Sequence, residues 1–225
     1  MKIPGGILAL PLALIGALFG WLHWSTAHIE GELRPIASAV AGHPVKVDCQ
    51  GFLSSLVDVQ DREGEVRFDA NGLPKPRIFL TRPTCERLDA FAHSRRHPAL
   101  DCLAKINWAQ PDPLPPDSAC AQQASPTVYA LLILAHESYH TAGVIDEVTA
   151  NCYAIQAIAY AVSRLGAPDR EGELAALAMA SLEPYQVDGY ATTDCRAGTA
   201  IDLHPETPAF PTELPLTPPG LPRHG

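Results

Sequence analysis

His136, Glu137 and His140 stand in the run HESYH, a spacing able to do metal chemistry. On a helix, residues i and i+4 share a face, so two imidazoles there can reach one ion at about 2.0–2.1 Å each. Zinc is the expected metal, because imidazole and carboxylate ligands suit it. Glu137 is offset from His136 by about 100° of helix rotation, which takes it off the shared ligand face. From there it can reach a water on the metal. Zinc lowers the pKa of such a water to about 7, and a nearby carboxylate can take its proton. The run therefore predicts Zn2+ at His136 and His140, with Glu137 as the general base of a hydrolase, expected to act on peptides. The plainer alternative is a helix end where two histidines are merely polar, a placement favourable in itself.

For the third ligand the residues leave Asp146 and Glu147 open. With Asp146, residues 136–146 read H-E-x-x-H-x-x-G-x-x-D, which resembles the metzincin peptidases; that resemblance implies a glycine turn followed by Asp146 on zinc. With Glu147, the segment EVTAN at 147–151 resembles the E-x-x-A-D helix of gluzincin peptidases. That resemblance implies Glu147 on zinc and Asn151, in place of aspartate, supporting a ligand histidine. Metzincins also carry a methionine turn under the metal. After Met1 the only methionine is Met179, inside an Ala-rich helical run, and this favours Glu147, with Asp146 capping the next helix. A further resemblance covers about residues 126–205. HESYHTAGVIDEVTANCYAIQ followed by DCRAGTAIDLHP is similar to a group of small, uncharacterised exported bacterial proteins with H-E-x-x-H, a glutamate and then C-Y-A-x-Q. It implies that Cys152 and Cys195 are structural and that the helix after the motif packs on the motif helix. Tyr185, Tyr190 and His204 follow the motif as candidate donors to a developing oxyanion, and ordinary packing would equally account for each.

The elements that must position these residues can be read around them. Ser125 makes an N-cap with Pro126 at the first helical position, and the chain is then apolar on nearly every side through Ala135, as in a buried helix. Gly143 interrupts it. A second helix is expected from Ile145 to Leu165, stopped by Gly166 and Pro168, and a third from Asp169 to Leu182. Upstream, Val45 and Val47 alternate with polar residues, GEVRFD at 64–69 reads as a strand, Asn71-Gly72 as a turn and Ile78–Leu80 as a third extended run. Cys85 to His93 reads as a helix with Leu88, Phe91 and Ala92 on one face. The predicted fold class is α+β, mainly α: a zincin-like helical core, a small N-terminal β portion and one N-terminal transmembrane helix.

Residues 1–27 are expected to be that signal-anchor, because Ile3 to Trp24 carries no Asp, Glu, Lys or Arg and spans the roughly 20 residues a bilayer requires. Lys2 places the N-terminus inside and the domain outside. A signal peptide cleaved near Ser25-Thr26-Ala27 is the alternative, and it exports the domain equally. Residues 28–43 are expected as a juxtamembrane linker, 44–203 as the metallopeptidase domain, and 204–225 as a proline-rich flexible tail. Six dispersed cysteines without a C-x-x-C pair suit disulfides outside the cytosol, with buried free thiols as the alternative. Chain proximity favours Cys49–Cys85, Cys102–Cys120 and Cys152–Cys195. The net charge of −9 and the lack of a Lys/Arg run argue against a nucleic-acid partner. The expected partners are a peptide or protein substrate and, through the N-terminal segment, a membrane. The rival to catalysis is a zinc-stabilised or disulfide-stapled cell-envelope binding domain that cleaves nothing.

Overall fold

The computed structural model of the chain describes residues 27–51, 63–186, 189–207 and 210–211. Within them it is α+β and mainly helical. A three-stranded sheet is formed by β1 (Lys46–Cys49), β2 (Gly64–Phe68) and β3 (Pro74–Leu80), in the order β1-β3-β2. The pairing of β1 with β3 is parallel and that of β2 with β3 antiparallel. Alternation sorts the side chains. Val47, Ile78 and Val66 form one row across the sheet and are buried, and the next row on that face is Cys49, Leu80 and Gly64. On the outer face Asp48, Phe79 and Glu65 align. The expected turn joins β2 to β3: Asp69 accepts from Asn71 N at 2.8 Å and Leu73 N at 3.0 Å, while Gly72 takes a φ of +76° that favours glycine.

A helix precedes the sheet and corrects the reading of 28–43 as a linker. Residues 27–41 form α1, whose stripe of Ile29, Leu33, Ile36, Ala37 and Val40 is buried in the core. Gly31 and Pro35 disguise this helix in sequence, because inside a helix they cost about 1 and 3 kcal/mol. Burying four large aliphatic chains at about 1.5–3 kcal/mol each outweighs them. Ser38 Oγ accepts from Val45 N, and Glu30 accepts from Cys49 N at 2.8 Å, so α1 is held to β1. The stretch expected as an anchor, Ile3 to Trp24, lies outside the described residues. Among those described, no helix is long and apolar enough to cross a membrane. Most of the tail expected from His204 also lies outside them.

After the sheet come α2 (Arg82–Ala92), the short α3 (Pro98–Asp101) and a 3-10 turn at Leu103–Lys105. The motif helix α4 (Ala119–Thr141) starts seven residues earlier than an N-cap at Ser125 predicts. Its N-cap is Ser118, which accepts from Ala121 N at 3.2 Å, and Pro126 lies inside the helix. Proline there removes one backbone bond, but α4 is buried along most of its length and its first turn is fixed by a disulfide, so the helix runs through it. The next helices, α5 (Glu147–Arg164) and α6 (Asp169–Leu182), lie within two residues of their predicted bounds. The three pack on one another, and α4 also packs on β2, β3 and α2. Met179 is fully buried in α6, as core packing rather than a turn.

All six cysteines are paired, as Cys49–Cys85, Cys102–Cys120 and Cys152–Cys195. The bridges join β1 to α2, the segment before α4 to its first turn, and α5 to the segment following α6. Buried Gln156 secures that last segment, donating to Ile201 O at 2.9 Å and accepting from Leu203 N at 2.8 Å.

Candidate metal centre

His136, Glu137 and His140 occupy the last two turns of α4, and each is at most 7% exposed. The helix ends because Gly143 takes a φ of +97°, with Gly143 N and Val144 N bonded back to His140 O and Tyr139 O. This turn reverses the chain so that the first residue of α5 meets the histidines. Glu147 Oε2 lies 3.0 Å from His136 Nε2 and 3.2 Å from His140 Nε2, and the two nitrogens are 2.9 Å apart. One ligand atom from each of the three residues is therefore within reach of a single ion.

The donor set fits a cation. His140 Nδ1 is 2.6 Å from Val144 O, a carbonyl that only accepts, so this nitrogen carries the proton and Nε2 offers a lone pair. Burial lowers the His136 pKa, outweighing the pull of the Glu147 carboxylate, and keeps that imidazole neutral at pH 7. The contact with His136, followed by the nearness of His140, holds Glu147 below the usual carboxylate range. Two imidazole nitrogens and one carboxylate oxygen thus converge on a point that wants positive charge.

Asp146 faces elsewhere. It caps α5, accepting from Thr149 N at 2.8 Å and from Thr149 Oγ1 at 2.6 Å, and these bonds lower its pKa. Of the two residues the sequence left open, Glu147 is the one brought to the histidines. Asn151 does not support a histidine, correcting that expectation: its amide donates to Tyr190 O at 2.9 Å and to Gln186 Oε1 at 3.2 Å. It holds Gln186 and Tyr190 beside the site instead.

These groups open into a cleft of about 680 Å³, within the usual range for ligand pockets. Its lining includes Gly64, Val66 and Phe68 of β2, and Tyr185, Gln186 and Tyr190. Gly64 comes so near α4 that a Cβ there would lie 2.8 Å from Glu137 Cγ and 2.7 Å from Ile133 Cγ2. Among the described residues β2, like β1, is an outer strand, so its far edge pairs with no described strand. The Tyr190 ring lies 6.0 Å from that of His136. Tyr185 also lines the cleft, but its hydroxyl donates to Asp112 Oδ2 at 3.1 Å. His204 is outside the cleft, with Nδ1 3.2 Å from Glu206.

Sequence reasoning did not find the roles of Val144 O, Gln186 or Gly64. A backbone carbonyl leaves no mark in sequence. A glycine opening a strand can mark close backbone approach, which is the role of Gly64. Comparison of the chain with protein-family models, with curated proteins and with solved structures finds no match.

Proposed function

We propose that this chain is a membrane-anchored, extracytosolic zinc hydrolase that cleaves peptide bonds. The observation that carries the reading is Glu137, a buried carboxylate on the cleft wall beside the convergent His136, His140 and Glu147. His136, His140 and Glu147 would hold the metal. Bound there, zinc supplies Lewis acidity and lowers the pKa of a water to about 7. Three protein ligands leave a position for that chemistry, whereas structural zinc sites are closed by four. Glu137 accepts the proton of the attacking water and returns it to the leaving amine. Val144 O keeps His140 presenting Nε2.

A peptide is favoured over other substrates because an outer strand lines the same cleft. An extended segment can add to β2 through backbone hydrogen bonds, which places a carbonyl near Glu137. Tyr190, which lines the cleft with its ring 6.0 Å from that of His136, is assigned to the oxyanion. The disulfides fit an exported domain, and the apolar stretch Ile3 to Trp24 supplies the tether.

The test is metal analysis of the full chain, then digestion of a mixed peptide library by wild type and Glu137→Gln. About one tightly held zinc, with cleavage reduced a hundredfold or more in Glu137→Gln, is expected. Absence of zinc overturns the reading. Zinc without Glu137-dependent cleavage replaces it with a zinc-stabilised binding domain.

A further inference from the structure

We propose a second divalent-metal site, between α1 and α2, held by His28, Asp89 and His93 with Glu32 beside both imidazoles. It shares no residue with the centre described above and does not rest on the hydrolase reading.

The residues occur as two i,i+4 pairs, His28 with Glu32 on α1 and Asp89 with His93 on α2, so each pair lies on one face of its helix. The helices bring these faces together, with the two imidazole centroids 5.1 Å apart. One ligand atom from each of His28, Asp89 and His93 lies within 4.8 Å of the other two. Glu32 Oε1 is 3.5 Å from His28 Nδ1 and 3.6 Å from His93 Nε2, and Asp89 Oδ1 is 3.3 Å from His93 Nδ1.

His93 Nδ1 donates to Asp89 O at 3.0 Å, which leaves Nε2 as the nitrogen His93 offers to an ion, and the two separations from Glu32 exceed the roughly 2.7–3.2 Å of an N–H···O hydrogen bond. They sit close to the roughly 3.3–3.4 Å between two ligands each about 2.0–2.1 Å from a tetrahedral zinc. Two carboxylates beside two imidazoles make a site whose negative charge one divalent ion neutralises. Mixed imidazole and carboxylate donors favour zinc among the common cations. The four side chains are 39–47% exposed, so water completes the coordination and the ion exchanges more readily than at the buried centre. An ion here clips α1 to α2. Since α1 follows closely on the apolar stretch ending at Trp24, the clip fixes the helix leading from that stretch into the domain.

The test uses the full chain in detergent, stripped by chelator and titrated with Zn2+ alone against a competing indicator. Wild type should bind two equivalents. His136→Ala/His140→Ala should bind one, His28→Ala/His93→Ala should bind one, and the quadruple variant none. In the His136→Ala/His140→Ala background, Asp89→Asn, which keeps the side-chain shape, should weaken the remaining equivalent at least tenfold. In the same background zinc should raise the melting temperature, and this rise should vanish in the quadruple variant. Unchanged helical circular dichroism without zinc separates loss of a ligand from loss of fold. A wild-type stoichiometry of one that His136→Ala/His140→Ala abolishes overturns the proposal. So does a second equivalent that survives both His28→Ala/His93→Ala and Asp89→Asn.

Discussion

Asp146 and Glu147 are adjacent carboxylates with separate duties, and substitution should part them. Asp146→Ala removes the bonds to Thr149 and should cost about 1 kcal/mol, a fall in melting temperature of roughly 2–4 °C, with zinc content unchanged. Glu147→Ala should lose the zinc. Gly64 gives a third residue-scale outcome. In Gly64→Ala the new methyl meets Ile133 and Glu137, so Glu137 must move, and peptide cleavage should fall at least tenfold while zinc is retained. Acid should destabilise the metal-free chain in two stages. Burial lowers the His136 pKa, so the unfolded chain binds that proton more readily and stability falls as pH drops below about 6.5. The Glu147 pKa is also lowered, so its contribution is present above about pH 4.3 and is lost as pH falls further. Melting curves in chelator from pH 8 to pH 3 would read both stages, and His136→Gln should flatten the first.

The elements differ in how plainly the sequence announces them. Glycine and proline ended α5 at Gly166 and opened α6 after Pro168, because local conformation and tertiary packing agree there. In α1 and in the first turns of α4 they disagree. Gly31 and Pro35 read locally as breaks and Pro126 as a helix start, and only the buried surface of the folded domain overrides them. His136, Glu137 and His140 were legible because their spacing is local to one helix. The choice of Glu147 depended on the turn at Gly143, and the β2 wall is a long-range contact with no local signature. The packing of α5 on α6 carries its own test. A Cβ at Gly172 would lie 2.8 Å from Ala159 O, on backbone that cannot swing aside. Gly172→Ala should therefore cost about 1–3 kcal/mol in urea unfolding, even though alanine is the better helix former.

At the scale of the molecule, the cleft is assembled from parts far apart in the chain: β2, the end of α4, the start of α5, and Tyr185, Gln186 and Tyr190. The Cys152–Cys195 bridge holds the last of these, tying α5 to the chain five residues beyond Tyr190. Replacing both cysteines by serine should lower stability by about 2–4 kcal/mol and reduce peptide cleavage more than zinc content, because the ligands remain while the tyrosine wall is released. Parallel zinc analysis and peptide assays would show the split.

The Gly64 row also governs how the sheet itself is put together. Gly64 is flanked by Glu63 and Glu65. Sliding β2 by one residue along β3 would turn Val66 outward and drive one of those acids into the space against Glu137. Two carboxylates forced together in a buried corner repel, so the mispaired strand is rejected by the very residue assigned to catalysis. Glu137 thus proofreads the alignment of its own cleft wall.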